Sequence, residues 1–135
     1  MAKQYRDETQ KALKDLRSNE LVEKYLNDVL YPLFPNWRTS EQRALAEFIK
    51  RNIDNLHLHL MLANEAYGDP RLRLKHLHQA RAYLLQIEFE TRTAYKQKYS
   101  IGEGKKLEME RYEGLIGAKI MQWIKATEAG LAPKG

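Results

Sequence analysis

Between Leu45 and Tyr67 the apolar residues fall at Leu45, Ile49, Ile53, Leu56, Leu60, Ala63 and Tyr67, in steps of 4, 4, 3, 4, 3 and 4. An α-helix, with 3.6 residues per turn, puts such a series on one face. A long helix with a single apolar stripe has to bury that stripe against other helices. Its start is marked by Thr39 and Gln42, the spacing of a capping box in which each side chain satisfies the other's backbone N–H. Its end is marked by Gly68, suited to the position just past a helix, then Asp69 as the next N-cap and Pro70 at the first helical position. So short a connection makes the second and third helices antiparallel neighbours.

The rest of the chain follows the same period. Leu13, Leu16, Val22, Tyr25, Leu26, Val29 and Leu33 predict a first helix from about Ala2 to Leu33, with Ser18-Asn19 able to split off a short leading segment. Pro32 and Pro35 are expected to end it, and Trp37 to act as a lid over the bundle end. A third helix runs from Pro70 to Tyr99-Ser100, and Ile101-Gly102-Glu103-Gly104 is expected to be a mobile turn. Lys105 to about Thr127 makes a fourth, with Tyr112, Ile116, Ile120, Trp123 and Thr127 inward and Gly130 and Pro133 as stop signals. Gly114 and Gly117 inside it suggest a close approach of a neighbouring backbone. The expected fold is all-α: an antiparallel up-down four-helix bundle in one domain, 1–135. Residues 1–19 are a candidate charged extension and 128–135 a candidate flexible tail.

Composition narrows the chemistry. The chain has no cysteine, which excludes disulfides, thiolate catalysis and Cys-based zinc sites. No apolar run approaches the roughly 20 residues of a membrane span, and the polar start, Met1 to Glu8, does not resemble a signal peptide. The expectation is a cytoplasmic protein without membrane contact. The histidines come as His57/His59 and His76/His78, and a spacing of two sends rings to different helix faces. Asp54-x-x-His57 is the nearest approach to a di-iron motif and has no counterpart on another helix. No phosphate-binding glycine loop, His-Glu-x-x-His or nucleophile elbow is present. No enzyme, metal or cofactor is expected.

The stretch from Pro70 to Lys98 carries seven basic residues against two acids, a net of +5 that equals the formal charge of the whole protein. Its apolar stripe is Leu77, Ala80, Leu84, Ile87, Thr91 and Tyr95. Arg71, His78, Arg81, Arg92 and Lys96 gather on a flank roughly 40–120° from that stripe, with Leu85 and Phe89 among them. A flank both basic and apolar suits a binding surface. Arg71, Lys75, Arg81, Arg92, Lys96 and Lys98 are the candidate phosphate contacts, with Lys75 and Lys98 as outliers. Leu85 and Phe89 are the candidate subunit or partner contact. Tyr25, Tyr67, Tyr95, Tyr112 and Trp123 fall on core stripes, whereas Tyr83 and Phe89 do not.

Several local sequences occur in an order that resembles a known family. Leu30-Tyr31-Pro32 with Phe34-Pro35, then Arg43-Ala44-Leu45, is similar to the four-helix proteins encoded in ribosomal-RNA intervening sequences. It is equally similar to the accessory variability determinant (Avd) of diversity-generating retroelements. Tyr112, Ile116-Gly117 and Trp123-Ile124-Lys125 resemble the Avd pattern more closely, over roughly residues 20–127. Met121-Gln122 stand where that pattern often has paired glycines, and Glu88 stands where the first of two third-helix arginines is usual, Arg92 matching the second. The resemblance implies a ring-shaped homopentamer that binds a reverse transcriptase and its template RNA or complementary DNA. A five-fold ring would carry about +25, enough to make a modest flank a dense phosphate surface. A ribosomal-RNA intervening-sequence protein and a protein-interaction module with a solvated basic face are the alternative readings.

Overall fold

The computed structural model describes residues 13–131, and in these four helices are present and no strand. The predicted helix over residues 2–12 lies outside them, as do Pro133 and the last four residues. The first helix, α1, spans 18–33 in three parts: α-helical over Ser18–Lys24, π-helical over Tyr25–Leu30, and α-helical again over Tyr31–Leu33. A 3-10 turn, Phe34–Asn36, closes it. The others are α2 (Ser40–Glu65), α3 (Pro70–Lys96) and α4 (Glu103–Leu131), the last three each about 40 Å long at 1.5 Å per residue.

Contacts between helices fix their direction. Along α2 and α3, Asn52 meets Glu90, His59 meets His76 and Ala63 meets Arg73. Along α3 and α4, Tyr95 meets Lys106, Thr91 meets Glu113 and Leu84 meets Gly117. On α1, Glu23 meets His57 of α2 while Tyr25 meets Tyr112 of α4. Each pair counts up on one helix and down on the other, so the bundle is antiparallel and up-down. Its core is one cluster in which Leu21, Tyr25, Ile49, Ile53, Leu56, Leu77, Ile87, Ile116 and Ile120 are fully enclosed.

The expected caps at two starts are present. Thr39 Oγ1 accepts from Gln42 N at 3.1 Å and Gln42 Oε1 accepts from Thr39 N at 3.3 Å; Asp69 Oδ1 accepts from Leu72 N at 3.1 Å. The break ahead of α1 is also real: Leu13 and Lys14 are helical, and Arg17 is extended at the N-cap position.

Several boundaries differ from expectation. Pro32 does not stop α1. The π stretch just before it has Tyr31 N bonded to Leu26 O, and Pro32 takes an early place in the final α-turn, where a missing N–H is tolerated. Gly68 has no left-handed backbone, and α2 is capped at Ala66 instead. The left-handed residue is Lys98, φ 62°, after α3 has ended at Lys96 rather than Tyr99-Ser100. Lys98 N donates to Tyr95 O at 3.0 Å and Tyr99 N to Ala94 O at 2.9 Å, the paired bonds of a Schellman motif with lysine in the glycine position. Helix α4 begins at Glu103, so Glu103 and Gly104 are helical, and it runs through Gly130 to Leu131, so 128–131 are not an irregular tail. Neither helical glycine meets a backbone: a Cβ at Gly114 would find open space, and one at Gly117 would sit 3.4 Å from the Leu84 side chain.

Trp37 is buried edge-on between Phe34 and Tyr99, as a lid would be. Tyr67, assigned to the core stripe, is 87% exposed, because α2 ends one residue before Ala66.

Candidate nucleic-acid interface

Helix α3 presents its flank because Leu77, Ala80, Leu84, Ile87, Thr91 and Ala94 anchor its opposite side in the core. Arg71, Lys75, His78, Arg81, Arg92 and Lys96 are all exposed. Arg71 and Lys96 are 25 residues apart, about 37 Å along the axis. The five ion pairs among the described residues use none of these cations, nor Lys98. Leu85 and Phe89 are 52% and 57% exposed and so have no core to fill within the subunit. They are not unusual in this: Phe48 and Leu107 are as exposed on α2 and α4.

Two members of the basic stretch stand apart. Lys98 sits in the left-handed turn beyond α3, off the flank. Arg73 faces α2: its Nε donates to Ala63 O at 2.9 Å, and its guanidinium lies 5.8 Å from the Tyr67 ring centre and 5.6 Å from that of Trp123. Arg73 therefore satisfies the end of α2, where carbonyls lack partners and the helix dipole favours a cation. The sequence reading counted it with the +5 of α3, yet it is held in the structure rather than offered to a ligand.

Sequence reasoning missed the acids of α3 and α4. Glu90 is buried and accepts from Asn52 Nδ2 at 2.7 Å. Glu88, one turn from Arg92, is half-buried; burial pushes its carboxyl up and Arg92 pulls it down. An acid thus stands at the edge of the basic flank. Across the seam, Lys106 of α4 lies 4.5 Å from the Tyr95 ring centre and shares a small crevice with Arg92. Lys106 extends the basic surface onto α4, although its Nζ is also 3.7 Å from Glu110 Oε1.

Glu113 is the group least legible in the sequence. Its Oε2 accepts from Tyr25 Oη at 2.6 Å and from Thr91 Oγ1 at 2.8 Å, joining α1, α3 and α4 in the core. Burial raises its pKa to about 7 against the pull of both hydroxyls. Burial, then Glu113 itself, raises the Tyr25 hydroxyl. A carboxyl titrating near neutrality suits acid–base chemistry. The adjoining cavity, however, measures about 20 Å³, room for a water rather than a substrate. The Glu next to Tyr112 falls one position beyond the apolar stripe, and nothing in the pattern flags it.

The histidines meet across helices rather than within them. His59 Nδ1 and His76 Nδ1 are 3.0 Å apart, so at least one ring is neutral and accepting, and His59 stacks on Tyr83 at 5.6 Å. Burial, then His76, lowers the His59 pKa. His57 pairs with Glu23 at 2.9 Å rather than with Asp54. No cluster of three potential ligands able to hold a metal occurs among the described residues, and no described helix is long and apolar enough to cross a membrane.

No protein-family model, curated protein or solved structure matches the chain.

Proposed function

We propose that this chain is a non-enzymatic, Avd-like accessory protein that binds a reverse transcriptase and its template RNA or complementary DNA through the α3 flank. The observation that carries the reading is the row of exposed cations, Arg71, Lys75, Arg81, Arg92 and Lys96, none in an ion pair among the described residues. Cations without protein partners are free to displace counterions from phosphates, which gives affinity without a sequence code. Assembly into a homopentameric ring multiplies that surface, with Leu85 and Phe89 at the subunit or polymerase contact. A cytoplasmic setting follows from the same reading.

The test is fluorescence anisotropy of a structured RNA and a matched DNA with the purified protein over a salt series. A steep fall of affinity with salt supports the reading, and Arg81→Glu, Arg92→Glu and Lys96→Glu together should abolish it. Unchanged affinity in that triple variant sinks the site. The segment Leu30-Tyr31-Pro32 with Phe34-Pro35 also favours a second reading, a ribosomal-RNA intervening-sequence protein of the same fold. A reverse transcriptase gene beside the coding sequence separates the two.

A further inference from the structure

At the end of the bundle where α3 begins, a pocket of about 530 Å³ opens between α1, α2 and α4. This is within the range of small-molecule sites. Arg17 and Lys119 supply two cations at its wall, and none of the lining residues is acidic, in a chain with 18 acids. Arg17 is exposed and makes no ion pair among the described residues. Lys119 gives one of its three donors to Lys14 O at 2.7 Å, which fixes its ammonium at the rim with donors to spare. The rest of the wall is of two kinds. Asn64 and Gln122 bring carboxamides, each both donor and acceptor, and Leu60 and Trp123 bring apolar surface. Trp123 is held on one side by the Arg73 guanidinium, 5.6 Å from its ring centre.

We infer that this pocket binds a nucleoside 5′-monophosphate group, with the phosphate between Arg17 and Lys119 and the base against Trp123. Cations paired with a π surface are how proteins hold an unstacked nucleotide without a duplex. The carboxamides match base edges, which carry donors and acceptors side by side. The group has two possible sources, a free nucleotide or the 5′-phosphorylated end of a strand. The site is independent of the α3 flank, since no α3 residue lines it.

The test uses the full chain and its two tryptophans. Trp123 lies at the pocket and Trp37 is buried among Phe34 and Tyr99, so the two indole N–H signals in an NMR titration report separately. AMP should shift the Trp123 signal saturably and leave that of Trp37 in place. Adenosine and inorganic phosphate, each half of the ligand, should bind much more weakly. Arg17→Glu should weaken AMP by roughly tenfold, the loss expected for one charge-assisted contact. Arg43→Glu, the same charge change at the other end of α2, should not. If a 5′-phosphorylated trinucleotide binds more tightly than AMP, the source is a strand end; if not, it is a free nucleotide. No saturable Trp123 shift, equal shifts at both indoles, or inorganic phosphate binding as well as AMP would each overturn the assignment. Loss of RNA binding by the α3 triple variant with AMP binding intact separates this site from the flank.

Discussion

Tyr25 and Glu113, 88 residues apart in sequence, share a 2.6 Å hydrogen bond in the core, the hydroxyl donating to the carboxyl oxygen that Thr91 also reaches. The bond ties the π-helical part of α1 to the middle of α4. It makes the core sensitive to protonation.

The sign of that sensitivity follows from the shift. The unfolded chain releases the Glu113 proton near 4.5, and the folded chain holds it to about 7. In that window the folded state binds more protons, so stability falls as pH rises and levels off above about 7, a loss on the order of 3 kcal/mol. His59, whose pKa is lowered, acts oppositely as pH falls below its ordinary value. Urea unfolding of wild type and Glu113→Gln at several pH values isolates the carboxyl. The wild-type curve should fall more steeply between the two pH values than that of the variant; parallel curves would contradict the assignment.

Tyr25→Phe should cost about 1–3 kcal/mol, since it removes a donor from a buried carboxyl whose remaining partner is the Thr91 hydroxyl. The penalty should be larger at pH 8, where the carboxylate needs that donor most. Denaturant midpoints at pH 5 and pH 8 read the difference.

Arg73→Ala should destabilise by about 1–2 kcal/mol through loss of the α2 carbonyl contact and the packing on Trp123. Arg71→Ala, two residues away and exposed, should stay within about 0.5 kcal/mol. Thermal unfolding distinguishes a structural arginine from a free one.

Lys98→Gly should raise stability by up to about 1 kcal/mol, because glycine enters the left-handed region without the strain a lysine carries there. The same change should alter RNA affinity less than Arg92→Ala, which should lower the log–log salt slope by about one phosphate contact. Equal losses for the two would place Lys98 back in the interface.

Much of the bundle is legible in the sequence because its helices state their own period and caps. Ile49, Ile53, Leu56 and Leu60 are buried where the steps of three and four put them, and Thr39 and Asp69 cap as their spacing requires. The errors share a cause. Proline, glycine and lysine were read by local preference, whereas tertiary contacts decided their places: Pro32 follows a π stretch, Gly130 remains helical, and Lys98 takes the turn position that glycine favours. The flank was legible as charge, but not which cation was already engaged. Arg73 and Arg71 look alike on a helical wheel until the end of α2 is in place. Glu113 and the His59–His76 pair were hidden because each depends on partners from other helices.

The π-helical stretch Tyr25–Leu30 has one further consequence. Each π turn holds an extra residue, so deleting one from it would restore an ordinary α-helix and swing everything after it by about 100°. Tyr25 would keep its place while Phe34 and Trp37 turned out of the lid they form with Tyr99. Natural relatives should accordingly vary in length around 97–102, between α3 and α4, and tolerate no insertion or deletion between Tyr25 and Trp37.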